Sequence, residues 1–150
     1  MRKLALVTLF AMVLSACAGS QYGNFTQNLA TVDAKIADDA ALQLSTLYPA
    51  ASTRFNVQQE TTDAFGGALI GALREKGYAV FEYVAPDRLS ATAEAPANRD
   101  GGVELRYVLD YLGADHMYSI TLRVDNRALS RAYVEKDATA LAAGAWTRKE

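Results

Sequence analysis

Two runs of strict alternation constrain the fold of this chain most. Val103, Leu105, Tyr107, Leu109 and Tyr111 are apolar at every second position. Tyr118, Ile120, Leu122 and Val124 repeat the pattern after Gly113-Ala114-Asp115. A period of two puts such side chains on one face of a pleated strand, and two such runs joined by a glycine-containing turn predict a hairpin. Asp125-Asn126 tolerates positive φ and marks a second tight turn. Leu129, Arg131 and Tyr133 then continue a strand. A sheet with one apolar face requires a second layer to cover it.

Two helical patterns supply that layer. Val32, Ile36, Ala40, Leu44 and Leu47 fall at helical spacing over residues 32–47. Thr31 or Asp33 caps the start and Pro49 follows the end. Asp33, Asp38 and Asp39 sit off this stripe and read as a solvated acidic face. Residues 53–58 read as a short strand. Thr61-Thr62-Asp63 opens a second helix that runs to Lys76, with Phe65, Leu69, Ala72 and Leu73 on one face and Gly77 as its C′ residue. Residues 78–84 are aromatic and β-branched, which fits a strand. Residues 85–102 hold Pro86, Pro96 and scattered charges without a period, and predict a mobile surface loop. Residues 138–143 read as a small-residue loop and 144–149 as a last strand around Trp146. The fold class is α+β, with two helices packed on one face of a small, mostly antiparallel sheet.

Before this domain stands an export signal. Met1-Arg2-Lys3 is followed by an apolar run over residues 4–14 and by Leu14-Ser15-Ala16-Cys17. A charged start, a short apolar run and small residues before a cleavage point make a signal peptide, here residues 1–16. A cysteine as the first mature residue makes it a lipoprotein signal, with Leu14, Ser15 and Ala16 as the lipobox and Cys17 as the lipidated residue. The apolar run has 11 residues, whereas a spanning helix needs about 20. Stable anchoring takes two membrane signals, and a triacylated cysteine exceeds that. Residues 17–30 are small and polar and read as a flexible tether, leaving 31–150 as one domain. A coil of about 13 residues spans about 20 Å on average.

Composition narrows the chemistry. Removing Arg2 and Lys3 from the 15 basic residues leaves 13 against 17 acidic ones, a net charge of −4 for the mature chain. That balance argues against nucleic acid as a partner, because phosphate binding needs clustered Lys and Arg. Cys17 is the only cysteine, so the mature fold has no disulfide and no thiolate metal site. His116 is the only histidine, which removes most zinc and triad chemistry. It sits in the first hairpin turn and reads as solvent-facing. The covalent lipid on Cys17 is the only non-protein group expected; no metal and no other cofactor is.

The remaining constellations are weak. Gly66-Gly67-Ala68-Leu69-Ile70-Gly71 lacks the Gly-Lys-Ser/Thr ending of a phosphate loop and lies inside a helix pattern. Gly67 and Gly71, four apart, predict instead a smooth helix face packed on the sheet or on a partner. Ser130 with Arg131, and Glu82 with Glu104, carry no pocket signal, so no catalytic residue is expected. The eight tyrosines lie mostly on strands. Core packing accounts for most, while Tyr133 and Trp146 are candidates for an assembly surface. The terminal strand is also a candidate for pairing with a neighbour.

Several stretches together resemble one family. These are Lys35-Ile36-Ala37-Asp38-Asp39-Ala40, Leu47-Tyr48-Pro49-Ala50-Ala51-Ser52-Thr53-Arg54-Phe55, Asp63-Ala64-Phe65-Gly66 and Leu73-Arg74-Glu75-Lys76-Gly77-Tyr78-Ala79. Leu105-Arg106-Tyr107-Val108-Leu109-Asp110, Leu129-Ser130-Arg131-Ala132-Tyr133 and Gly144-Ala145-Trp146-Thr147-Arg148-Lys149-Glu150 follow. Combined with the lipobox, they resemble the TrbH family of conjugal-transfer lipoproteins. The resemblance implies a structural, non-enzymatic component of a type IV secretion channel used for mating-pair formation. It implies partners among the other channel subunits, a ring-shaped hetero-oligomer being one form of this. Ala18, where Asp would signal inner-membrane retention, favours the outer membrane, with the domain facing the periplasm. Two other readings stay open: a free-standing periplasmic or envelope lipoprotein holding a small ligand or peptidoglycan, and an entry-exclusion lipoprotein.

Overall fold

The computed structural model describes residues 21–27, 29–85, 101–113 and 116–150. The expected signal peptide at 1–16 and Cys17, the expected lipidation site, lie outside them, as does most of the expected loop at 85–102. The described strands are β1 (Gly23–Asn24), β2 (Arg54–Val57), β3 (Ala79–Phe81), β4 (Val103–Tyr111), β5 (Met117–Val124), β6 (Arg127–Lys136), β7 (Thr139–Ala142) and β8 (Thr147–Lys149). The helices are α1 (Ala30–Leu47) and α2 (Ala64–Glu75), with a 3-10 turn at Ala50–Ser52. All eight strands join one sheet in the order β3-β2-β4-β5-β6-β7, with β1 on β4 and β8 on β6. The expected α+β class holds: the β4–β7 meander is antiparallel, while β1 and β2 run parallel to β4.

The alternation read from the sequence sets the faces. Register pairs Leu105 with Val124, Tyr107 with Leu122, Leu109 with Ile120 and Leu122 with Leu129. These residues are all buried and line one face. Both helices pack there. Phe65 of α2 meets Tyr107 edge-on at 4.8 Å between ring centroids, and Asp39 of α1 receives Tyr133 of β6. α1 and α2 also pack on each other, α1 towards β7 and α2 towards β3 and β1. The opposite face carries Arg106, Val108, Ser119, Thr121, Ser130 and Ala132 and is left half-exposed.

Local chemistry explains the helix ends. Asp63 caps α2 by accepting the Gly66 N–H at 2.9 Å. Gly77 takes φ +86° just past its end, the left-handed conformation that glycine adopts without strain. α1 ends before Pro49, and Leu47 is 38% exposed rather than part of the core stripe.

The central strands are bordered by short partners laid end to end. On one side of β4, β2 pairs at Val103–Leu105 and β1 at Val108–Leu109. The gap between them is filled by a side chain: Gln59 Oε1 accepts the Tyr107 N–H at 2.8 Å. On the far side of β6, β7 pairs with residues 133–136 and β8 with residues 128–130.

Three expectations need correction. The tether predicted over 17–30 is already docked from residue 21 to 27: β1 lies on β4, Phe25 N–H donates to Leu109 O at 2.8 Å, and α1 begins at Ala30. Two residues without a period leave no strand signal. The small-residue loop predicted at 138–143 is the strand β7. Asp137 and Ala138 both take positive φ (52° and 57°), the geometry of a two-residue hairpin turn, and the open edge of β6 overrides the weak strand preference of alanine. Asp33 and Asp39 are not a solvated face. Asp33 is 2% exposed and accepts from Asn24 Nδ2 at 3.0 Å, while Asp39 is paired below. Only Asp38 is exposed as expected.

Candidate functional site

The four candidate interface residues do not converge. Gly67 is exposed and Gly71 half-exposed, and a Cβ added at either would meet nothing within 4 Å. The smooth face they form does not pack on the sheet. The close approach is made by Gly66, where a Cβ would run into the Tyr107 hydroxyl and come within 2.9 Å of Thr61 Cα. Tyr133 is 2% exposed, so its ring is spent on the core and not offered to a partner. Trp146 is half-buried against the core, just before β8 rather than at its centre. β8 itself pairs with β6 of its own chain.

What the tyrosines do instead is fasten the layers. Tyr107 donates to Asp63 Oδ2 at 2.5 Å, joining β4 to the start of α2. Tyr133 donates to Asp39 Oδ2, which also receives Arg131 Nη1 at 2.9 Å, joining β6 to α1. Arg131 Nε donates in turn to Gly144 O at 2.8 Å and holds the C-terminal segment. Within the sheet, Tyr118 of β5 donates to Glu135 Oε2 of β6 at 2.6 Å, and Tyr78, just before β3, donates to Tyr48 O at the end of α1. These partners are up to 94 residues apart in sequence. Only the capping role of Asp63 had a local signal.

Burial first, and then the neighbouring carboxylate, raises the Tyr107, Tyr118 and Tyr133 phenols. Tyr118 moves from 10 to about 12. Tyrosines of the unfolded chain ionise near pH 10, so above it the unfolded state holds fewer protons than the folded one. The stabilisation is complete below pH 10 and is lost as pH rises from 10 towards about 12. The urea midpoint should fall through this window while tyrosinate absorbance grows together with unfolding. A midpoint that stays level there would contradict the latches.

The pairs weighed as catalytic are occupied elsewhere. Ser130 shares a hydrogen bond with Thr121 at 3.0 Å, Glu82 pairs with Arg74 at 2.6 Å and Glu104 with Arg106 at 3.2 Å. His116 is an exposed turn residue with φ 51°. Among the described residues no group of three or more His, Cys, Asp or Glu side chains is placed to hold a metal ion, and no helix is long and apolar enough to cross a membrane.

Among the described residues, two open concavities flank β1. A groove of about 540 Å³ lies between β1 and the segments after β2 and β3, with Tyr22, Phe25, Gln59, Glu60 and Tyr83 in its walls. A second, of about 390 Å³, lies on the other side of Phe25 and is walled by Thr26, Gln27, Tyr111 and Tyr118. Tyr22 also lies against the Arg106 guanidinium, 5.4 Å from carbon to ring centroid. Both grooves are open surface features with aromatic walls and one charged group, Glu60.

Comparison with curated proteins and with solved structures gave no match. A family model described as conjugal transfer protein TrbH matches residues 19–150. That match spans both helices and every strand described above, and the chain therefore belongs to the TrbH family of conjugal transfer proteins.

Proposed function

We propose that this conjugal transfer protein is a structural lipoprotein of a mating-pair-formation type IV secretion apparatus. Lipidated Cys17 anchors it at the outer membrane, and its α+β domain faces the periplasm and binds neighbouring channel subunits. The observation that carries this reading is the position of the family match. It begins at residue 19, two residues behind the cysteine of Leu14-Ser15-Ala16-Cys17. Anchor and domain thus follow one another with almost no chain between. The polar pairs of the domain support a scaffold rather than a catalyst, since each carboxylate weighed for acid–base work is tied to an arginine.

A non-polar deletion of the gene is expected to abolish or sharply reduce DNA transfer, and Cys17→Ser is expected to reproduce much of the loss. Full transfer without the gene would sink the reading. Acyl labelling of the wild-type protein, lost in Cys17→Ser, checks the anchor separately.

A further inference from the structure

The sheet edge where the chain enters the domain carries a rim of aromatic and apolar side chains, of which Phe25, Tyr111 and Leu112 are exposed and Tyr22 and Tyr83 half-buried. Phe25 is 52% exposed and stands between the two grooves described above. Tyr22 and Tyr83 share one groove with it and Tyr111 the other. Leu112, next to Tyr111, is 54% exposed and donates its N–H to Met117 O across the hairpin turn. The register orders these residues along the edge. Gly23 lies opposite Val108 and Asn24 opposite Leu109, so Tyr22, Phe25 and then Tyr111 and Leu112 rise towards one end of the sheet. Among the walls of both grooves only Glu60 is charged. Large exposed apolar residues gathered in this way mark a contact surface.

The chain itself limits what that surface meets. Four peptide units separate Cys17 from Gln21, and a fully extended chain covers at most about 3.6 Å per residue. The acylated cysteine therefore lies within about 14 Å of the residue that enters the rim. Gln21 to Phe25 adds at most about 14 Å along the same edge, so the leash is short enough for the rim to lie against the lipid head groups. Tyrosine and phenylalanine suit that depth: the ring is apolar, and the tyrosine hydroxyl reaches water.

We infer that the rim formed by Tyr22, Tyr83, Phe25, Tyr111 and Leu112 rests in the head-group region of the phospholipid bilayer and fixes the orientation of the domain on its membrane. The inference rests on the lipid anchor at Cys17 proposed above. The contact is apolar and aromatic, so raised salt leaves it in place. Thr31 at the start of α1 donates to Ala138 O beside β7, at the rim's end of the sheet, so the Leu47 end of α1 then points away from the bilayer.

The acylated protein has no free thiol, because Cys17 is its only cysteine. Single cysteines can therefore be introduced by Phe25→Cys and Leu112→Cys on the rim, with Leu47→Cys at the end of α1 as the control. All three positions are at least 38% exposed, and circular dichroism checks that each variant folds. Each purified, acylated protein is labelled with a fluorophore and placed in vesicles of phosphatidylethanolamine and phosphatidylglycerol that contain nitroxide-labelled lipid. Quenching several-fold stronger at positions 25 and 112 than at 47, in low and high salt alike, is the expected result. Equal quenching at all three positions overturns the inference while leaving the anchor intact. So does a rim that stays unquenched in lipid but becomes protected in cells carrying the transfer apparatus, because its partner is then a protein. An absent acyl mass on the wild-type protein overturns the anchor and the inference together.

Discussion

Gly66→Ala is expected to lower the stability of the domain by about 2–3 kcal/mol, the upper part of the usual range for an overpacked site. Gly66 is buried under the crossing of α2 and β4, where the added carbon would meet the Tyr107 hydroxyl and the backbone at Thr61. The hydroxyl cannot simply turn away, because it donates to Asp63, and Asp63 caps the same helix through the Gly66 N–H. One methyl group therefore disturbs a cap, a latch and an interlayer contact at once. Gly67→Ala, one residue on, should do the reverse. Its Cβ meets nothing within 4 Å, and alanine in a helix is favoured over glycine by about 1 kcal/mol. Gly71→Ala should behave like Gly67→Ala. Urea midpoints followed by circular dichroism separate the three. A Gly66→Ala protein as stable as the parent would show that the α2–β4 contact is looser than the structure has it.

The second large effect is expected at Asp39. Asp39→Ala removes the acceptor of both Arg131 and Tyr133 and leaves their donors facing a helix that no longer answers them. Side-chain exposure of 20% for Arg131 and 24% for Asp39 allows partial hydration. The loss should therefore be about 2–3 kcal/mol, below the 3–5 kcal/mol of breaking a fully buried pair. Tyr133→Phe tests the phenol alone. It deletes one hydrogen bond and leaves the ion pair, so about 1 kcal/mol is expected. If Asp39→Ala were no worse than Tyr133→Phe, the arginine would contribute nothing and the ion pair would be a surface contact of the ordinary weak kind.

These residues also show where the sequence speaks and where it falls silent. The meander from β4 to β6 is legible because its register repeats every two residues and its turns carry Gly113 and Asp125-Asn126. The ends of α2 are legible because a cap and a C′ glycine act within a few residues. Asp33 and Asp39 are not legible as buried, because their partners Asn24 and Arg131 reach them through the fold. The buried face of α1 is also wider than the stripe suggests: Ala37 and Ala41 join Val32, Ile36, Ala40 and Leu44 at 0% exposure, and Asp33 falls within that width. β1 and β7 are invisible for a related reason. Neither has a strand composition, and each exists because a long strand beside it offers an unpaired edge. At the candidate site, the cysteine proposed as the anchor is marked by four letters of sequence. The rim is not, because Phe25 and Tyr111 are brought side by side only by the pairing of β1 with β4.

The end-to-end pairing along β4 has a mechanical consequence. Tension applied through an anchored amino terminus acts first on β1, which is held by a two-residue parallel ladder, the Phe25 bond to Leu109 and the Asn24 contact to Asp33. β2 grips a different stretch of β4 and is untouched by that load. Once the Asn24–Asp33 bond to α1 gives way, stripping residues 21–27 from the edge lengthens the leash by up to about 25 Å. The domain thus carries a short length of chain in reserve, which yields under pull while the meander keeps its shape.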